Sequence, residues 1–446
     1  MKDTTINELA FATGGEIISG NENAVFSNIV IDSRQADKDS LFVPLVGEKN
    51  DAHKFLESVY DMGCRVAISS KRDIFLKDDF NIVLVNDTTE ALQKLGKYIR
   101  NKLTLPLVGI TGSVGKTTTR EMVALALSDL KVFKTPNNFN SQVGVPITLS
   151  RINDEEIGVI ELGMSQFGEM ERIAKIVNCD CALVTNIGTA HIENLHTREN
   201  IRAEKFHIMD GMKNGSVVFL NADNDMLFDS PKEKGIVYKY FSAKGNTSCD
   251  YYATDIVFNN AMPEFTAHIG EKKVRVHLNV FGEHQISNAL AAIAVANHYN
   301  LSVESAAKHL EEFRGFSHRQ ELIKLKELTV IDDTYNASPD SMKASISILK
   351  DFNAQRKIAI LADMKELGTD ERILHREIGD FINENVKLDA VFTVGELAKE
   401  IIKDINKDIY TKSFEDNESL EKFISGYLDA GDVCLLKGSN SMRLFD

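Results

Sequence analysis

The chain has 446 residues, 43% hydrophobic and 26% charged, the balance of a globular protein with enough length for about three domains. Its formal net charge of −15 argues against a general binder of nucleic acid or of anionic membrane, so a nucleotide site here must gather its positive groups locally. The opening Met1-Lys2-Asp3-Thr4-Thr5 has no apolar signal core, no apolar run approaches a membrane span, and Cys64, Cys179, Cys181, Cys249 and Cys434 are few, odd in number and scattered, as in a reducing cytosol.

Short strands are expected over 27–31, 41–45, 66–69 and 82–85, with a helix over 53–62 between them. This is a small α/β unit over residues 1–86, and a helix starts at Glu90 beyond it. The next strand, over 105–110, leads into Thr111-Gly112-Ser113-Val114-Gly115-Lys116-Thr117-Thr118-Thr119, after which Met122, Val123, Leu125, Ala126 and Leu127 supply an apolar helical face. Glycines in such a loop let backbone amides approach phosphate oxygens. The helix N-terminus and Lys116 add positive charge, and the Thr117 hydroxyl can ligate Mg²⁺. The general P-loop pattern asks for Gly at position 110, where this chain has Ile110 between Gly109 and Gly112. The plain alternative, a glycine-rich strand-to-helix turn, leaves Gly-Lys-Thr at a helix start unexplained.

Further strands are expected over 158–161, 182–186 and 217–220 with helices between them, a parallel sheet covered on both faces. Cys179-x-Cys181 is too short for the usual zinc pair and reads as the approach to a buried strand, a metal site being the alternative. Residues 274–280 alternate strictly after a turn at 270–272, so an antiparallel hairpin or meander joins the sheet. An Ala-rich helix over 288–296 closes this central unit, 87–313. From 314 to 446, strands over 328–333, 357–362, 390–394 and 433–437 alternate with helices over 341–349 and 372–383, a third α/β unit.

Polar residues gather at strand ends, where doubly wound sheets place ligands. Glu161 ends an apolar strand and can hold Mg²⁺ on nucleotide phosphates; the alternative is a helix-capping or surface carboxylate. His191 follows another strand end in Thr185-Asn186-Ile187-Gly188-Thr189-Ala190-His191. Lys205 falls in a helix expected over 199–212 with a mixed face and reads, on composition, as a solvated lysine. Asp332-Asp333-Thr334-Tyr335-Asn336-Ala337-Ser338-Pro339-Asp340 offers carboxylates and an amide for a ligand such as a ribose, while Ser338 or Asp340 caps a helix whose first turn holds Pro339. Lys437-Gly438-Ser439-Asn440-Ser441 either holds an anionic group or ends the sheet. No G-x-S-x-G elbow, HExxH or GxGxxG occurs.

Together these strings resemble the Mur ligase family of ATP-dependent amide-bond-forming enzymes. Asp32-Ser33-Arg34, Asp51-Ala52-His53, the TGSVGKTTT loop, Asn137-Asn138-Phe139-Asn140-Ser141, Glu161-Leu162-Gly163-Met164, TNIGTAHIE, Gly282-Glu283-His284, DDTYNASPDSM, Ala362-Asp363-Met364-Lys365 and KGSNSM carry the likeness. Tyr-Asn-Ala-x-Pro-Asp-Ser-Met points to the branch that adds D-Ala-D-Ala to UDP-N-acetylmuramoyl-tripeptide.

The resemblance implies an α/β protein of three domains. These are a small UDP-substrate domain (1–86), a P-loop ATPase domain with a mostly parallel sheet plus antiparallel strands (87–313) and a Rossmann-like C-terminal ligase domain (314–446) that closes over the site. It implies ATP and two Mg²⁺ ions, a cytoplasmic bacterial setting in peptidoglycan precursor synthesis, and a monomer without nucleic-acid partners. Gly112, Ser113, Val114, Gly115, Lys116, Thr117 and Thr118 would hold the phosphates, Asn288 the adenine, and Arg319 and Asp333 phosphate and ribose. Thr117 and Glu161 would take one Mg²⁺ and His191 the other, and Lys205 matches a lysine that relatives carbamylate into a metal ligand. Asn138, Asn140 and Asn336 would face the acceptor substrate, and Ser33 and Arg34 the uridine nucleotide. The competing expectations are another Mur-type or folate-polyglutamate-type ligase and a P-loop ATPase without ligation.

Overall fold

The computed structural model describes residues 3–47 and 50–445. Besides a two-stranded pair, Thr4–Thr5 with Val25–Phe26, three larger sheets follow one another along the chain. The first has five strands in the order Glu16–Ser19, Asn81–Leu84, Val66–Ser69, Ser40–Phe42, Asn28–Val30, parallel except for the first pair. The second has nine, in the order Lys272–His277, Met262–Ile269, Tyr251–Asn259, Val237–Ser242, Val217–Asn221, Cys181–Val184, Leu107–Thr111, Ile157–Glu161, Val132–Lys134. Its last seven are parallel, and the meander of the first three supplies the antiparallel edge. The third has six, in the order Glu321–Leu325, Leu328–Asp333, Val433–Lys437, Lys357–Ala362, Ala390–Val394, Tyr410–Phe414, parallel except for the first pair.

Most strands expected from apolar runs lie inside their sheets, although Asn28–Val30, expected over 27–31, closes the first. Leu107–Thr111, Ile157–Glu161, Cys181–Val184 and Ala390–Val394 are buried along their whole length, as parallel strands covered on both faces must be. The strands without such a signal lie at or toward edges. Glu16–Ser19, Val132–Lys134, Glu321–Leu325 and Tyr410–Phe414 close their sheets and keep charged or polar residues in water. The helix expected over 53–62 starts as a 3₁₀ turn, Ala52–Phe55, before Leu56–Asp61. That expected over 199–212 ends at Phe206 and tightens into His207–Met209.

The first two sheets share a core. Ile6, Leu9, Val66 and Val83 from the N-terminal unit cluster with Leu92 and Leu95 of helix Thr88–Lys102 and with Ile147, Ile160 and Val184 of the central unit. The other face of the central sheet packs Ile110, Met122 and Val123 against the Ala-rich helix His284–His298. The third sheet has its own two cores, which Ala261 and Phe281 from the preceding chain join, with Met262 packed against them. Among the described residues no helix is long and apolar enough to cross a membrane.

Candidate active site

The loop after Leu107–Thr111 is shaped by what it must avoid. A Cβ at Gly112 would sit 1.9 Å from the Thr185 hydroxyl, so no side chain fits there. Gly115 holds φ +80° at the N-cap of helix Lys116–Ala126, a left-handed conformation that glycine adopts without strain. The loop is braced from the end of the neighbouring strand. The Ser113 and Val114 amides donate to Asn186 Oδ1 at 3.1 and 2.9 Å, and the Thr185 hydroxyl donates to the Val114 carbonyl at 2.7 Å. The Gly188 amide donates to the Ser113 hydroxyl at 2.9 Å. Thr118 is half-buried on the first helical turn.

Lys116 arches back over this loop, its Nζ donating to the Gly112 carbonyl at 2.8 Å. Burial pushes its pKa down, Glu161 opposes that shift and Arg319 adds to it, so both groups lie within electrostatic range of the ammonium. Glu161, at the end of its strand, is 2% exposed. Its Oε1 accepts from Asn140 Nδ2 at 2.7 Å and faces the Thr117 hydroxyl at 3.4 Å. Its Oε2 is held by Arg120 Nη1 at 3.2 Å. A hydroxyl and a carboxylate oxygen converging beside a phosphate loop are the hard donors Mg²⁺ takes, with waters and phosphate oxygens filling the other positions.

Lys205 is the clearest correction. The expected solvated lysine is 1% exposed. It shares a helix face with the fully buried Ile201 one turn earlier, a spacing of four that was the available signal. Burial holds its pKa well below the usual lysine range, Lys116 pushes the same way and Glu204 opposes. His191, at φ +65°, lies within reach of the same charges. Burial, Lys116 and Lys205 push its pKa down while Glu366, at 2.9 Å from its Nδ1, opposes. The balance favours the neutral imidazole, which has a lone pair to offer a metal.

Asn288 lies beneath the loop. Its Oδ1 accepts from the Thr119 hydroxyl at 3.0 Å, its Nδ2 donates to Gln285 at 2.9 Å, and a Cβ on Gly115 would come within 3.3 Å of it. From the C-terminal unit, Arg319 stacks on Tyr335 at 3.8 Å from the ring centroid. Asp333 pairs with buried Lys437 at 2.8 Å, and Lys437 also donates to the Asn336 carbonyl at 2.7 Å. The polar contacts that join this unit to the central one are His191 with Glu366, the Thr189 amide with Asp340 at 3.3 Å, and Gln320 bridging Gln285 at 3.2 Å and His284 at 3.1 Å, beside an apolar contact in which Ala261 and Phe281 enter the C-terminal core.

Lys116, Thr117, Glu161, Asn140, His191, Lys205 and Arg319 thus share one locality. Asn138 and Asn336 are exposed, and the Asn336 side chain is taken up by the Ala337 amide. Ser33 and Arg34 form a 3₁₀ turn in the N-terminal unit. There Arg34 pairs with Asp32 at 2.6 Å and holds that carboxyl at about 2, and among the described residues no hydrogen bond or ion pair joins them to the loop. Sequence reasoning passed over Arg120, Asn186, Glu366 and the burial of Lys437. His318, Glu321 and Asp332 also bring ligand atoms within 4.8 Å of one another. They are satisfied internally, with His318 on Asp332 at 2.7 Å and Glu321 accepting from the Ser317 hydroxyl and the His318 amide.

Comparison with known proteins gives a consistent result. Residues 110–296 match the Mur ligase middle domain and residues 318–440 the Mur ligase, glutamate ligase domain. The UDP-N-acetylmuramoyl-tripeptide–D-alanyl-D-alanine ligase of Bacillus subtilis is 33% identical, over 99% of this chain and 96% of its own. MurF from Acinetobacter baumannii superposes with a TM-score of 0.91 at 30% identity, covering 100% of this chain and 98% of that one. MurF of Thermotoga maritima, solved in complex with ADP, superposes at 0.83 with 28% identity, over 94% and 95%.

Proposed function

This chain belongs to the Mur ligase family, and we propose that within it the chain joins D-alanyl-D-alanine to UDP-N-acetylmuramoyl-tripeptide at the expense of ATP, in bacterial peptidoglycan precursor synthesis. The full-length likeness to ligases of that name supports the substrates, and the likeness to a relative holding ADP supports the nucleotide. The observation that carries the reading is the convergence of a half-buried lysine, a hydroxyl–carboxylate pair and a fully buried second lysine at one phosphate-shaped loop. Five buried free cysteines suit the reducing cytoplasm in which such a precursor is built.

The terminal carboxylate of the tripeptide attacks the γ-phosphorus of ATP and displaces ADP, leaving an acyl phosphate. The free amine of the dipeptide attacks the acyl carbon, the C–O bond to phosphate breaks, the amine loses a proton, and an amide and inorganic phosphate remain. The first step brings the carboxylate against the triphosphate, and the second develops negative charge on the acyl oxygen beside the phosphate, so catalysis is largely charge compensation. Lys116 supplies a fixed cation to the phosphates. Mg²⁺, when bound by Thr117 and Glu161 with His191 and Lys205 at a second position, would withdraw charge from the phosphate oxygens.

The lowered pKa of Lys205 keeps a fraction of its amine neutral. That form can add CO₂ with release of a proton to give an anionic carbamate, a ligand in place of a cation. Asn288 would border the base, Asp333 the ribose and Arg319 a phosphate. Asn138, Asn140 and Asn336 would border the acceptor carboxylate and dipeptide, and Ser33 and Arg34 the uridine end. Residues 1–86, 87–313 and 314–446 are the corresponding functional divisions. The C-terminal division would exclude water from the acyl phosphate.

The test is release of ADP from ATP and Mg²⁺ with the UDP-linked tripeptide, with and without D-Ala-D-Ala, alongside the mass of the product. Sustained release that needs both acceptors, with a UDP-linked pentapeptide formed, is expected. Release indifferent to the dipeptide returns the chain to a plain ATPase.

A further inference from the structure

Arg120 lies one turn past Lys116 on the loop helix and is 4% exposed, a rare place for an arginine without a task. Its guanidinium has three separate attachments. Nε and Nη2 donate to Glu121 Oε1 at 3.0 and 2.7 Å, and Nη1 donates to the Asn137 carbonyl at 2.8 Å and to Glu161 Oε2 at 3.2 Å. Glu121 is anchored in turn by Lys134 at the outer edge of the sheet. Asn137 has φ +48° and opens the turn that carries Asn140, whose side chain holds the other oxygen of Glu161. One planar group therefore joins the phosphate-loop helix, the strand-end carboxylate and the asparagine turn.

From this we infer that Arg120 is a positioning residue for the metal carboxylate: by holding Oε2 of Glu161 it leaves Oε1 directed at Thr117, and by holding the Asn137 carbonyl it sets the Asn140 turn around that oxygen. The inference rests on Glu161 being the Mg²⁺ carboxylate. A bidentate, planar donor set is what the task needs, because a lysine has one point of charge and cannot span Glu121, Asn137 and Glu161 together. The sign of the effect separates positioning from simple charge. Removing a cation beside a metal site by charge alone tightens metal binding, whereas losing the orientation of the ligand weakens it. Residues that orient metal ligands typically change metal affinity by about 10–100-fold.

The experiment is a titration of Mn²⁺, a paramagnetic stand-in for Mg²⁺, into the full chain with ADP, read by electron paramagnetic resonance as the free-ion signal. Arg120→Met alone strands two buried carboxylates and is prone to misfold, so it is paired with Glu121→Gln, and Arg120→Lys is measured beside it. The R120M/E121Q chain should need about tenfold more Mn²⁺ for half-saturation, and R120K severalfold more, with metal-free ADP binding unchanged in both. Unchanged or tighter Mn²⁺ binding in either folded variant overturns the inference. E161Q serves as the separate control. If it leaves Mn²⁺ binding untouched, the metal assignment of Glu161 fails, whatever Arg120 does.

Discussion

The two joints of this molecule differ in how much apolar surface they bury and how many of their contacts are polar. Between the N-terminal and central units, helix Thr88–Lys102 inserts Leu92, Leu95 and Ile99 into one continuous apolar core. Between the central and C-terminal units, the polar contacts are His191 with Glu366, Thr189 with Asp340 and the Gln320 bridge, and the apolar ones are fewer than at the first joint: Ala261, Met262 and Phe281 at the edge of the C-terminal core, with ring pairs Phe281–Phe352 at 5.2 Å and Phe313–Phe316 at 5.6 Å. Apolar burial is non-directional and is lost only by opening the interface to water, while a few half-exposed hydrogen bonds exchange with water at small net cost. The first joint therefore fixes its two units as one body. The second, with the smaller apolar contact, is the joint expected to open if the C-terminal unit must admit a large substrate and then shield an acyl phosphate.

The contrast is broken most severely at Leu95, 1% exposed. Leu95→Ala should cost about 2–5 kcal/mol and lower the unfolding midpoint of the N-terminal and central units together in urea. Hydrogen exchange in the 357–362 and 390–394 strands should keep its protection. Loss of protection there would mean that all three units share one core.

Lys205, on the fixed side of the second joint, should matter to chemistry and not to assembly. Lys205→Ala is expected to lower ligation by roughly 10²–10³-fold and to regain part of it when a small carboxylate is added to the assay. Wild-type activity in the variant would end the carbamate proposal. At the polar joint, Glu366→Gln should leave stability within about 0.5 kcal/mol yet slow ligation roughly tenfold. An equal fall in stability would make that contact part of a rigid interface.

The smallest effect sharpens the first joint. Glu8 accepts from Lys102 at 2.6 Å and Tyr98 at 3.1 Å across its rim, and its pKa falls from 4.5 to about 2, chiefly through Lys102. A depressed carboxylate stabilises the fold above its unfolded pKa and loses that contribution as pH falls toward the folded value. Stability should thus decline between pH 4.5 and about 2. Glu8→Gln should flatten that part of the profile of urea midpoint against pH, and an unchanged slope would assign the acid sensitivity elsewhere.

How far the sequence carried the fold depends on burial. Strands covered on both faces announced themselves as apolar runs, and the starts and ends of 328–333, 357–362, 390–394 and 433–437 were legible to the residue. Edge strands such as Tyr410–Phe414 were not, because half their residues face water and their pairing is a tertiary fact. The same holds in the site. The loop glycines, Lys116 and Glu161 could be read from local spacing. Arg120 and Glu366 could not, since their partners lie 41 and 175 residues away. The burial of Lys205 showed only as its register with Ile201.

The contrast between the joints is tested most directly by distances in solution. The five native cysteines are buried, so spin labels can be directed to the exposed positions Glu57→Cys, Lys234→Cys and Glu418→Cys and measured pairwise by pulsed electron resonance. The samples would be the free chain and the chain with ADP, Mg²⁺ and the UDP-linked tripeptide. The 57–234 distance should stay constant and narrow, while the 234–418 distance is broad in the free chain and narrows with ligands. A 234–418 distance as narrow and constant as the first would contradict a movable C-terminal unit.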